Sequence, residues 1–408
     1  MKPETSGNLT PLRKHHFSLS ALTSMPWSLL RALPAIGVGL WTAASALAQT
    51  TYTLTQISPP SGATSSSVES VNNHGQVVGN TKVKVGRSNI PGPAFVWANG
   101  VALSLPSLGA DPAAQANGIS DSGLIVGHSP SLYVYDPNSP PKAVWWQLSS
   151  GQYQVGDWNT LLPANSRLFL AAAISISEDG QFVVFDAKDK DSGRYYPVVA
   201  RIGSGGMSMT TWTINYSPAL EPLYDGYGSD IHSNETALRV VGYYAKTETD
   251  IAHPFLWEMN LNSLVVTMRD LDEPNLNRYG FTEGVNGAGE IVGDINISGI
   301  YQAHFWNAFG VKQQLPTLGG ARSISSSIND NGLVTGLSSR SGKNVLHHAF
   351  LWDSKTGAIS DLNALKSPTD TSGIELTNGR NINDAGQILA FGLRKGVGHN
   401  VLLNPLSP

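Results

Sequence analysis

A nine-residue pattern recurs seven times along this 408-residue chain, and that recurrence restricts the fold more than any other feature. Its clearest copy runs Ile328-Asn329-Asp330-Asn331-Gly332-Leu333-Val334-Thr335-Gly336. Close relatives begin at Val285 and at Val71, and further copies run Ile119 to Gly127, Ile176 to Val184 and Ile382 to Ala390. A degenerate copy surrounds Ile231-His232 and ends at Val240-Val241-Gly242. Successive apolar anchors at 71, 119, 176, 231, 285, 328 and 382 are separated by 48, 57, 55, 54, 43 and 54 residues.

Each copy places Asn/Asp-x-x-Gly between two apolar runs. Asx side chains bond their own backbone in turns and glycine accepts positive φ, so Asn72 with Gly75, Gly123, Gly289, Asn329 with Gly332, and Asn383 with Gly386 mark tight hairpins. A second signature follows each hairpin, best seen in His348-Ala349-Phe350-Leu351-Trp352 and matched around Trp97, Trp257 and Trp306. These runs lack polar alternation, as expected of a strand buried on both faces. A shorter polar-alternating stretch closes each unit. Four strands in 43–57 residues is the content of a propeller blade.

The ends of the repeat array complement each other. The last copy stops after its third strand, near Leu403. The first stretch of the array, Tyr52 to Ile57, reads as a fourth strand lacking a blade. Joining them predicts an all-β, seven-bladed β-propeller, closed by an N-terminal strand completing the last blade, in one domain over residues 49–408. A linear solenoid would need capping repeats instead.

The alternation of Ile-Asn-Asp-x-Gly-x-Val-x-Gly with His-Ala-Phe-Leu-Trp, together with Pro316-Thr317-Leu318-Gly319-Gly320, resembles the bacterial extracellular HAF-repeat family over about residues 51–405. The match is strongest in 280–400 and weakest in 165–240, and only 348–350 carry the full triplet. That resemblance implies an exported repeat protein and brings no established activity.

Composition narrows the chemistry. With no Cys, the chain has no disulfides, thiolate metal sites or Cys nucleophile. Residues 1–48 read as a signal peptide: basic Arg13, Lys14 and Arg31, an apolar run from 33 to 44, then Ala46-Leu47-Ala48. The rival reading, a transmembrane helix, is opposed by Pro34, Gly37 and Gly39 within a short run. Removing Lys2, Arg13, Lys14, Arg31 and Glu4 turns 26 basic and 30 acidic residues into 22 and 29, a net charge of −7. That sign argues against nucleic acid or an anionic membrane as partner. The mature chain is expected to lack a membrane span, to be a monomer, and to reside in the periplasm or outside the cell.

Each candidate site residue also has a structural role open to it. His253, His304, His348 and His399 recur at near-equivalent positions, which fits repeated packing better than a singular metal site. Asp186-Ala187-Lys188-Asp189-Lys190-Asp191-Ser192-Gly193 alternates acids before a Gly, as calcium loops do, but two Lys interleave and no bidentate Glu follows. No cofactor is expected, calcium being the one weighed. Asp225, Asp230, Asp270, Asp272 and Glu273 could contain an acid/base pair, although Asp270 and Asp361 occupy matching Asp-Leu positions that suggest a turn. Trp158 and Trp212 fall outside the repeated Trp slot. The loops 128–142, 155–168 and 216–230 exceed the repeat minimum, so Tyr133, Tyr135, Trp158, Tyr224 and Tyr227 are the candidate ligand-binding residues. No catalytic motif is present. The expected function is a non-catalytic binding or scaffold module at the cell envelope or beyond, the alternative being a propeller-type carbohydrate-active hydrolase or lyase. In the enzyme case, a channel mouth should carry two carboxylates about 5–10 Å apart.

Overall fold

Glycine at the fourth turn position is what lets six of the seven repeats fold back on themselves: Gly75, Gly123, Gly180, Gly289, Gly332 and Gly386 all have φ between 71° and 81°. The computed structural model describes residues 50–130, 140–203, 209–214, 224–248, 250–271, 278–342 and 347–406. Among these residues, twenty-eight strands form seven four-stranded antiparallel sheets. Strand β1 (Tyr52–Ile57) comes first, followed by blade 1, made of β2 (Ala63–Val71), β3 (Val77–Val85), β4 (Ser88–Ala98) and β5 (Val101–Ser104). Blade 2 holds β6 (Gln115–Ile119), β7 (Ile125–Ser129), β8 (Lys142–Ser149) and β9 (Gln152–Asp157). Blade 3 holds β10 (Leu168–Ile176), β11 (Phe182–Asp189), β12 (Tyr195–Ile202) and β13 (Met209–Thr213). Blade 4 holds β14 (Asp225–Ser233), β15 (Ala237–Ala245), β16 (His253–Asn260) and β17 (Val266–Asp270). Blade 5 holds β18 (Gly280–Val285), β19 (Ile291–Ile297), β20 (Ile300–Trp306) and β21 (Lys312–Gln314). Blade 6 holds β22 (Gly319–Ile328), β23 (Leu333–Arg340), β24 (His348–Asp353) and β25 (Ile359–Asp361). Blade 7 has three strands of its own, β26 (Glu375–Ile382), β27 (Ile388–Arg394) and β28 (Val397–Pro405).

Strand β1 supplies the fourth, pairing antiparallel with β28 from Tyr52↔Pro405 to Ile57↔Asn400. The chain is a seven-bladed propeller closed by its N-terminal strand, as the complementary repeat ends predict. Each described hydrophobic cluster straddles two adjacent blades. Leu389 and Leu402 of blade 7 pack with Val68, Val77, Phe95 and Trp97 of blade 1, so the ring closes through core as well as backbone.

The last glycine of the pattern has a packing reason. A Cβ on Gly336 would lie 2.0 Å from the Ile324 carbonyl and 2.8 Å from the Phe350 ring. Gly79 faces Ser67 and Phe95, and Gly242 faces Tyr227 and Phe255, in the same way. The first strand of every blade carries a β-bulge at the equivalent place, for example between Val68 and Ser70 or between Ser325 and Ser327. The repeated bulge presses that strand's backbone onto the glycine. The repeated Trp97, Trp257, Trp306 and Trp352 are all buried.

The repeated histidines are less uniform than their spacing suggests. Register places His253, His348 and His399 at one position, two residues before the residue facing the conserved glycine slot. His304 instead occupies that facing place itself, opposite Gly293. His348 Nδ1 lies 2.6 Å from Asp361 and its Nε2 2.9 Å from Glu375, while His253 lies 3.6 Å from Asp270. In blades 4 and 6 the His of the third strand and the Asp closing the fourth are therefore partners.

Candidate functional site at the two ends of the propeller

Strand polarity gives the ring two chemically different ends. The Asn-x-x-Gly hairpins gather at one, and there the amides form a chain from blade to blade. Asn286 Nδ2 donates to the Asn329 carbonyl at 3.0 Å, Asn329 to Asn383 at 2.9 Å, Asn383 to Asn72 at 2.7 Å and Asn72 to Ser120 at 2.9 Å. The residue after each Asn makes a second series. Gly287 N donates to Asp330 at 2.6 Å, Asp330 N to Asp384 at 2.7 Å, Asp384 N to Asn73 at 2.9 Å and Asn73 N to Asp121 at 2.9 Å.

The pattern breaks in blades 2, 3 and 4, where Ser120, Ser177 and His232 take the Asn position. Glu178 then serves the second series through its backbone carbonyl, accepting from Asp121 N at 2.9 Å. Its carboxyl is released to hydrogen-bond Asp384 in blade 7. His232 Nε2 approaches Asp330 of blade 6 to 3.3 Å. Gly287 leaves room for that approach, since a Cβ there would meet Asp330 Oδ2 at 2.9 Å and His232 Cε1 at 3.0 Å. Four blades thus contribute to one titratable cluster. Burial, with the charge of Asp384, pushes Glu178 up to about 8. The His232 hydrogen bond holds Asp330 below the usual carboxylate range, and Asp330 lifts His232 above the ordinary imidazole value against the effect of burial. Glu178 and Asp384 act on each other as hydrogen-bond partners, the form of two carboxyls sharing a proton.

The opposite end carries the β3–β4-type turns and the connections from blade to blade, among them the loop 155–168 singled out by sequence, while most of 128–142 and 216–230 lies outside the described residues. Here the side chains are aromatic. Tyr195 stacks on Tyr227 (centroids 5.9 Å apart) and Tyr227 stacks on its cross-strand partner Tyr243 (5.4 Å). Phe281 meets Tyr243 edge-on at 5.0 Å, and Tyr301 continues the row at 6.3 Å. All five rings are half-buried, in a row across blades 3, 4 and 5. Beside it, the Arg194 guanidinium lies 4.2 Å over the Tyr224 ring. Asp225 Oδ1 accepts from Tyr195 N at 2.7 Å, and Asp186 Oδ1 accepts from Gly228 N at 3.1 Å. Burial raises both carboxyls, Asp186 to about 7. Burial and these acids raise the Tyr227 phenol, so it remains a hydrogen-bond donor.

Of the sequence candidates, Tyr224 and Tyr227 come together at this end. Tyr133 and Tyr135 lie outside the described residues. Trp158 is a correction: its ring is 3% exposed at the start of a short 3-10 helix, edge-on to Phe185 at 5.5 Å in the core, and offers no face to a ligand. Trp212 packs half-buried against the core of blades 3 and 4. The acid-rich stretch at 186–193 divides. Asp186 faces blade 4, whereas Asp189 accepts from the backbone of Asp191 and Ser192 in an exposed hairpin tip held by Arg167. The hairpin-end cluster was missed by sequence, where these turns read as structural. Its signal was the loss of Asn in the blade 2, blade 3 and blade 4 copies. Tyr195, Tyr243, Phe281 and Tyr301 were missed because their blades are separate in sequence.

No family model matches the chain, and no curated protein matches it. Among solved structures it is similar to the beta-propeller domain of the Trilobed protease from Pyrococcus furiosus, which has an open velcro topology (11% identity, TM-score 0.42, 85% of this chain and 84% of that one). It is also similar to prolyl oligopeptidase B from Galerina marginata (12%, TM-score 0.46, 80% and 46%) and to a puromycin-hydrolyzing peptidase of Mycobacterium tuberculosis (10%, TM-score 0.45, 81% and 58%). The chain spans about half the length of those two peptidases.

Proposed function

We propose that the protein is an exported, non-catalytic binding module of the HAF-repeat type, with its ligand seated on the aromatic end of the propeller. The observation that carries this reading is the half-buried row Tyr195–Tyr227–Tyr243–Phe281–Tyr301, an apolar surface edged by phenol donors and carboxylate acceptors. Export rests on the leader-like residues 1–48 and on the repeat resemblance. A glycan array and a cell-surface pull-down test the reading. Saturable binding that Tyr227→Ala abolishes supports it, and binding unchanged by that substitution refutes it.

A second reading, a carbohydrate-active hydrolase or lyase, is favoured by one observation at the other end. Burial raises the Glu178 carboxyl while the His232 hydrogen bond lowers that of Asp330 in the same cluster, and an acid/base pair needs such a division. Reducing-end release from polysaccharides, lost in Glu178→Gln, would support it. No release by the intact protein would leave the cluster a structural closure.

A further inference from the structure

We propose that Asn99 is a site of spontaneous modification, where the chain converts its own carboxamide to a carboxylate by way of a cyclic imide. The proposal stands apart from either functional reading. Where glycine follows asparagine, no Cβ shields the glycine nitrogen, and that nitrogen can close a five-membered ring onto the asparagine Cγ. Asn-Gly occurs five times in the chain, at 99, 117, 286, 331 and 378. The fold ties down or buries four of these pairs and leaves the fifth open.

Asn286 is 1% exposed, its Oδ1 accepts from Glu290 N at 2.9 Å and its Nδ2 donates to the Asn329 carbonyl at 3.0 Å. The nitrogen that would attack it, Gly287 N, donates to Asp330 at 2.6 Å. Asn331 Nδ2 donates to the Asp384 carbonyl at 3.0 Å, and Gly332 N to the Asn329 carbonyl at 3.0 Å. Asn117 Nδ2 donates to the Ala173 carbonyl of the next blade at 2.8 Å. Asn378 and Gly379 lie inside strand β26, with the Asn378 Oδ1 buried. A carboxamide held in this way must break those bonds, or the strand ladder, before its Cγ can turn toward the next nitrogen.

Asn99 and Gly100 are the whole loop between β4 and β5, whose last and first residues, Ala98 and Val101, pair across the hairpin. Both loop residues have positive φ, 51° and 86°, and both are exposed. A Cβ on Gly100 would meet nothing within 4 Å. Neither the Asn99 carboxamide nor Gly100 N makes a hydrogen bond among the described residues. Gly100 N, once hydroxide has taken its proton, attacks Asn99 Cγ. The N–Cγ bond forms, the carboxamide C–N bond breaks, and ammonia leaves with a proton from water. Water then opens the imide. Opening at Cγ gives aspartate in a normal backbone, and opening at the main-chain carbonyl gives the β-linked isomer, whose backbone is one atom longer. Water is the co-reactant, and nothing is oxidised or reduced. The product places a negative charge in 98–110, a stretch without a charged residue, beside the exposed Val101 and Leu103 of the outer strand β5. A charge there guards an outer strand against pairing with another chain.

The test incubates the full chain at mildly alkaline pH, folded and in denaturant, then follows each Asn-Gly peptide by mass spectrometry after digestion in acid. In the folded protein, the peptide containing Asn99 should gain the mass of an amide-to-acid exchange at least about tenfold faster than the other four. It should yield two products that separate on chromatography, aspartate and its β-linked isomer. In denaturant the five rates should converge, because the fold no longer discriminates. Asn99→Gly, which keeps the positive φ, should remove the signal and leave the melting temperature close to the parent's. Conversion at any of the other four as fast as at Asn99 in the folded protein overturns the proposal. So does an unreactive Asn99 in a folded chain whose denatured form converts. A ranking that persists in denaturant overturns it as well, since sequence rather than fold would then set the rates.

Discussion

Asn329 shows how much one side chain of the repeat does. Its Oδ1 accepts from Asn331 N at 3.1 Å and Leu333 N at 2.9 Å, closing its own turn, while Nδ2 reaches the Asn383 carbonyl of the next blade. Asn329→Ala removes all three and leaves buried groups unsatisfied, at a cost of about 2–3 kcal/mol by denaturant melts. Asn329→Asp should recover the turn but not the inter-blade bond, so its loss should be smaller than that of Ala. Gly336→Ala has nowhere to put its methyl group, since a carbonyl and an aromatic ring hold the space. A loss of at least about 2 kcal/mol is expected there. Trp352→Ala, which opens a cavity between blades 5 and 6, should cost about 3–5 kcal/mol.

At the scale of elements, the hairpins, the Phe/Trp strands and the missing fourth strand of blade 7 were all legible in sequence. Each is set by local chemistry repeated seven times: positive φ at glycine, Asx bonding within a turn, and apolar runs without alternation. The bulges were not legible, because Glu69, Asn117 and Ile174 share no residue type at the bulged place; the backbone conformation recurs without a recurring side chain. The sites were mostly hidden for a different reason. Glu178 and Asp384 belong to blades 3 and 7, about 200 residues apart in sequence, and only closure of the ring brings them together. That pair makes a prediction. A carboxyl raised in the folded state from 4.5 to about 8 contributes stability that is fully present below pH 4.5 and lost as pH rises toward 8. His232, also raised, acts in the same direction, whereas Asp330, lowered, loses its contribution on the acid side. Glu178→Gln can still donate to Asp384 and no longer ionises. Its melting temperature relative to the parent should therefore climb between pH 5 and pH 8. A difference that stays flat over that range would show that the proton is not held there.

For the whole molecule, seven blades and seven inter-blade clusters leave no sheet edge between first and last. Removing Tyr52–Ile57 takes away six ladder pairs, the buried Tyr52 and Ile57, and the outer strand of blade 7. That deletion should lower the thermal midpoint more than any single substitution above. The same closure sets the response to mechanical load. Residues 50 and 406 leave the ring side by side, where Leu406 N donates to the Thr51 carbonyl at 2.8 Å. Tension applied between them peels β1 from β28 one rung at a time, beginning at Tyr52↔Pro405, instead of shearing six rungs together. The seam should part at low force in single-molecule pulling, ahead of any blade. A load that passes through only one of the two ends would spare the other side of the seam, so how the protein is tethered decides whether its ring stays shut.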